Sequence, residues 1–171
     1  MDRMSSIELA MNNEQSEKEF YLGQARRTRN TVARILFEAL AADEDEHKRR
    51  LAKLYETLKR DGTWPESVPI EVAGTDVRQR LDSVARDATE ALAHDVDDMA
   101  ALRKAESFEA AGAELYRNLA AACTNPQEAS FFRFLAGIER EHLMSVRDSI
   151  FYLEDPGAWL SSRERAGLDG A

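Results

Sequence analysis

Apolar residues recur at helical spacing along most of this chain, in four long runs and one short one. The first begins at Ser5-Ser6-Ile7-Glu8, which reads as a capping box with Ser5 as N-cap and Glu8 three residues on. It extends to about Arg27, with Ile7, Ala10, Glu14 and Tyr21 on one face and Phe20 and Leu22 to either side. That stripe is thin, because Asn12, Asn13, Glu14 and Gln15 interrupt it. A carboxylate on a core-facing stripe needs a compensating partner, commonly a metal ion. Asn30 caps a second run through Val32, Ile35, Leu36, Leu40, Leu51, Leu54 and Leu58. It should fade at Asp61-Gly62, where glycine supplies a left-handed terminal residue.

The stretch from Thr63 to Pro69 reads as a connection. After Thr75, the positions Val77, Leu81, Val84, Ala88 and Leu92 predict a third, shorter helix. Asp95 or Asp97 then caps a helix from about Met99 to Cys123. Asn125-Pro126-Gln127-Glu128 restarts the chain as a helix, with Asn as cap, Pro at the first position and Glu at the third. That last long run reaches about Leu153 and is stopped by Asp155-Pro156-Gly157. The tail from Ala158 to Ala171 is expected to be extended or partly ordered, with Trp159 and Leu160 as docking anchors. The pattern predicts an all-α protein, one bundle domain over 1–155 followed by a C-terminal tail over 156–171.

Composition sharpens this by exclusion. With 171 residues, 43% hydrophobic and 32% charged, the chain is the size and character of one ordinary globular domain. Only 8 Gly and 4 Pro leave room for long helices. A net charge of −9 argues against nucleic acid or an anionic membrane as the main partner. No apolar run approaches the 18 or so residues of a membrane span, and the first residues lack the apolar core of a secretory signal. A cytoplasmic location is expected. Cys123 is the only cysteine, which excludes an internal disulfide and any Cys-x-x-Cys metal site.

The candidate chemistry lies in a four-residue pattern that occurs twice, Glu44-Asp45-Glu46-His47 and Glu139-Arg140-Glu141-His142. Residues three apart on a helix lie about 60° from each other, so a Glu and a His at this spacing can reach one metal ion. Alone, the pattern is weak. Its register strengthens it, because both the Glu and the His repeat at an offset of 95 residues. The same offset carries Glu14 onto Glu109, Ala10 onto Ala105, Tyr21 onto Tyr116 and Asn30 onto Asn125. Phe37, Leu40 and Leu58 likewise map onto Phe132, Leu135 and Leu153. Glu14 lies about 24 Å of helix before the turn at Asn30, and Glu44 about 21 Å after it, so a hairpin brings them to one height. The repeat does the same for Glu109 and Glu139. Two packed hairpins then gather four Glu and two His at one level, the arrangement of di-metal carboxylate bundles.

The pattern Ala-x3-Glu-x6-Tyr (Ala10, Glu14, Tyr21; Ala105, Glu109, Tyr116), each copy followed by Glu-x-x-His, resembles a rubrerythrin within the ferritin-like superfamily. The resemblance covers roughly residues 5–60 and 97–153. It implies a ferritin-like four-helix bundle of two repeated hairpins, joined by a long crossover that carries the short extra helix. It implies two iron ions, with manganese as the alternative, held by Glu14, Glu44, His47, Glu109, Glu139 and His142. Glu44 and Glu139 would bridge, while Tyr21 and Tyr116 would donate hydrogen bonds to ligand carboxylates. The activity implied is reduction of hydrogen peroxide or dioxygen, with an external electron donor such as a rubredoxin and a homodimeric assembly. Iron oxidation and storage, a di-manganese catalase, or a structural metal bundle are the competing functions.

Three positions depart from the family pattern. The paired Cys-x-x-Cys of a rubredoxin-like domain is missing. The seventh carboxylate, which many members carry one turn after the third-helix ligand, is replaced by Gly112, with Glu106 one turn earlier as the nearest alternative. The haem-binding Met of the related bacterioferritins is Asp45, so haem is not expected. For the other candidates the bland readings are expected. Asp43, Asp45 and Glu46 read as a solvated acidic face, His94 as an exposed helix residue and Cys123 as a small buried or half-buried side chain.

Overall fold

The computed structural model describes residues 2–65 and 96–168. Five helices account for nearly all of them: α1 (Arg3–Arg27), α2 (Thr31–Asp61), α3 (Val96–Ala122), α4 (Pro126–Glu154) and α5 (Pro156–Leu168). No strand occurs among the described residues. The fold is all-α, a ferritin-like bundle in which α1 packs along α2, α3 packs along α4, and the hairpins meet through α1 with α3 and α2 with α4. Residues 66–95, which include the expected short helix over 77–92 and His94, lie outside the described residues.

The helix boundaries follow from local chemistry. Asn30 and Asn125 accept backbone N–H groups through their side chains, at Ala33 and at Gln127 and Glu128, and so begin α2 and α4. Gly62 ends α2 at φ +70°, a conformation that a side chain would oppose. Two ends differ from expectation. Asp2 rather than Ser5 caps α1, because its carboxylate reaches Met4 N at 2.9 Å and also binds the Ser5 hydroxyl. The second concerns Asp155-Pro156-Gly157, which stops α4 but does not lead into an extended tail. Asp155 accepts the Ala158 N–H at 2.9 Å and Pro156 occupies the first turn, so the stop also starts α5.

Two apolar clusters lie on either side of the bundle's middle. One contains Tyr21, Leu36, Phe37, Leu40, Leu102, Val146 and Ile150; the other contains Ile7, Leu51, Leu54, Tyr116, Phe132 and Leu135. Each fully buried side chain of this size contributes about 1.5–3 kcal/mol. The repeat is visible in the packing, with Tyr21 stacked on Phe37 at 6.1 Å and Tyr116 on Phe132 at 6.4 Å. Both tryptophans are buried within the chain. Trp64 packs on Phe131, while Trp159 packs on Tyr152 and donates to Asp148 at 3.0 Å. Trp159 thus anchors α5 to α4. Among the described residues no helix is long and apolar enough to cross a membrane.

Candidate di-metal centre

The layer between the apolar clusters is polar and closed. Glu14, Glu44, Glu109 and Glu139 are each 0% exposed, and His47 and His142 are nearly so. They fall into two groups whose ligand atoms lie within 4.8 Å of one another: Glu14, Glu44, His47 and Glu139, and Glu44, Glu109, Glu139 and His142. Glu44 and Glu139 belong to both, the position a bridging carboxylate must take. The two imidazoles stack at 5.6 Å, each turning Nδ1 toward the carboxylates. All six residues expected from the sequence are therefore brought together.

The contacts among them suit shared cations better than a closed hydrogen-bond network. His47 Nδ1 lies 3.0 Å from both Glu14 Oε2 and Glu44 Oε2. His142 Nδ1 lies 3.1 Å from Glu44 Oε1 without hydrogen-bond geometry. Two ligand atoms on bonds of about 2.1 Å at a right angle would stand about 3 Å apart. Glu44 Oε1, Glu109 Oε2, both oxygens of Glu139 and His142 Nδ1 are buried with no hydrogen-bond partner. Native interiors rarely leave such atoms unpaired, and the four residues that carry these five each offer a ligand atom within 4.8 Å of the others. The donor set of carboxylate and imidazole fits iron or manganese.

The residues around the ligands set their orientation. The Tyr21 hydroxyl donates to Glu109 Oε1 and the Tyr116 hydroxyl to Glu14 Oε1, so each hairpin's tyrosine holds the other hairpin's carboxylate. Asp43 lies 3.1 Å from His142 Nε2, which fixes that ring with Nδ1 free for a metal. This corrects the reading of Asp43 as solvated acid, whereas Asp45 and Glu46 do pair at the surface with Lys18, Arg49 and Arg50. Glu106 is not an extra ligand candidate, since Arg147 and Arg103 hold it on the outside of α3.

Glu17 is the residue that sequence reasoning missed. It is 4% exposed and lies one turn after Glu14. The signal was available in the repeat, because position 17 maps onto Gly112, the site of the absent carboxylate.

Without a cation, protons neutralise the cluster. Burial pushes Glu14 up to about 8, Glu17 up to about 10 and Glu139 well above the carboxylate range. Burial would raise Glu44 too, but the charge of His142 and the hydrogen bond with His47 outweigh it and hold Glu44 low. His47 rises to about 9, since burial, which disfavours its charge, is outweighed by Glu14 and Glu44. A metal ion entering this layer displaces those protons.

Fold and site together define a di-metal carboxylate bundle of the ferritin type. A family model described as Rubrerythrin matches residues 6–147, and the chain belongs to that family. Neither the curated proteins nor the solved structures gave a match.

Proposed function

We propose that the chain is a di-iron oxidoreductase that reduces hydrogen peroxide or dioxygen to water, using electrons from an external donor such as a rubredoxin. The observation that carries this reading is the pair of buried ligand groups sharing Glu44 and Glu139. Two adjacent reduced irons there would supply both electrons that break an O–O bond, so no one-electron hydroxyl radical is released. The overall balance for peroxide is two electrons and two protons in, two waters out. Glu14, Glu44 and His47 hold one side of the centre and Glu109, Glu139 and His142 the other. Tyr21 and Tyr116 keep the ligand carboxylates turned inward, and the apolar clusters on both sides exclude bulk water.

The electrons come from another molecule on this reading. Cys123 cannot form an iron–thiolate site, which needs four thiolates, and its Sγ is already directed at the Leu119 carbonyl at 3.1 Å. The test is rapid mixing of the reduced iron protein with peroxide, measuring iron oxidation, peroxide consumed and dioxygen released. One stoichiometric oxidation should occur and then stop, resuming when rubredoxin and its reductase are added. Dioxygen release without a donor would point instead to catalase-type disproportionation, and assembly into a cage of about twenty-four chains to storage. No oxidation at all would leave a structural metal.

A further inference from the structure

Glu17 belongs to neither ligand group, and nothing in the proposed reaction uses it. Its side chain is buried and Oε2 has no hydrogen-bond partner. The Asn13 amide, one turn back, is close enough to act on its charge but makes no hydrogen bond to it. A buried carboxylate in that state requires a cation or a proton.

Its direction is given by α3. A Cβ added to Gly112 would stand 3.3 Å from Glu17 Oε1 and 3.1 Å from Glu139 Oε2. Glu17 therefore reaches from α1 across the bundle to the space above Gly112, one turn past Glu109. There its carboxylate lies close to that of Glu139, whose oxygens are both unpartnered. After burial, the charges that act on Glu17 most strongly are those of Glu44 and then Glu109, ahead of Glu14 on its own helix.

We propose that Glu17 is a seventh carboxylate of the centre, supplied by α1 to the ion held by Glu44, Glu109, Glu139 and His142. The proposal rests on the di-metal reading above. It replaces the missing carboxylate at position 112 with one from the repeat-related position, and Gly112 leaves the room. The two ions are then unequal. One has Glu14 and His47 beside the shared pair; the other has Glu109, His142 and Glu17.

The test is titration of the metal-free protein with Co(II), followed by its visible absorption, in wild type and in Glu17→Gln and Glu17→Ala. Wild type should take two Co(II) per chain. In the variants one ion should keep its affinity while the other weakens roughly 10- to 100-fold. The absorption of the weakened ion should intensify as its coordination number falls. Anomalous scattering from Mn(II)-soaked crystals should show the loss at Glu109 and His142. Two ions with unchanged affinity and spectrum would overturn the role of Glu17 and leave the di-metal reading standing. Loss at Glu14 and His47 would overturn the assignment of the ion. No Co(II) bound by wild type would overturn the di-metal reading itself. If neither variant folds, wild-type crystals decide: no Glu17 oxygen within about 2.6 Å of an ion rejects the proposal.

Discussion

In the first hairpin His47 turns Nδ1 toward Glu14 and Glu44, and its Nε2 is buried without a hydrogen-bond partner. In the second, His142 turns Nδ1 toward Glu44 and Glu109, and its Nε2 meets Asp43 at 3.1 Å. The repeat accounts for the difference, since Asp43 maps onto Ile138, which has nothing to bond with. Glu17 maps onto Gly112 in the same way. Both extra acids are carried by the first hairpin, and both act on the ligands of the second. The repeat therefore keeps the six clustered residues alike and places the asymmetry in their neighbours. A ligand's geometry is set by the ion it must reach, which leaves the surrounding residues to tune one side against the other.

The strongest way to break this comparison is at the shared ligands. Glu44→Ala and Glu139→Ala each remove a group common to both ions, so each should reduce bound metal from two ions per chain toward none. Glu46→Ala and Glu141→Ala, on other faces of the same helices, should leave it unchanged. Elemental analysis after loading measures this. A large difference between Glu44→Ala and Glu139→Ala would mean that the halves are not equivalent at the bridges.

Metal-free protein should show the next largest effect, through pH. Glu14, Glu17 and His47 all have raised values in the fold, so the native state binds more protons than the unfolded chain. The stability from these groups is present at low pH and is lost as pH rises from the ordinary carboxylate range through about 8 to 10. Melting temperature of the apo protein should fall across that window. Glu17→Gln should flatten the slope, because it removes one first-hairpin group that has no acidic counterpart. Manganese at a hundred times its dissociation constant should restore about 2.7 kcal/mol. An apo melting temperature that rises over the same window would contradict the buried, proton-neutralised cluster.

The smallest expected effect separates the two histidines. Asp43→Asn keeps the size of the side chain but weakens its hold on His142. Affinity for the Glu109 and His142 ion should drop about tenfold, with the Glu14 and His47 ion untouched. Competition with a chromogenic chelator would resolve the two ions. Equal weakening of both would show that Asp43 acts on the whole bundle rather than on one imidazole.

Periodicity, caps and the repeat were enough to place the four long helices and to bring the six candidate residues to one level. Helical spacing fixes which side chains share a face, and equal distances from two capped turns fix which of them share a height. Those are local quantities, and a chain carries them residue by residue. The helix after Pro156 was less legible because a proline that ends one helix is equally suited to begin another. Packing of Trp159 on Tyr152 decided between them. Asp43 and Glu17 were beyond local reasoning for a different cause. Asp43 has an acidic, solvent-facing sequence context, and Glu17 lies among polar residues on a thin apolar stripe. What distinguishes them is a partner 99 residues away in one case and a missing Cβ on the opposite helix in the other. Whether a carboxylate is solvated or confined depends on what stands across from it, and only the meeting of the two hairpins supplies that.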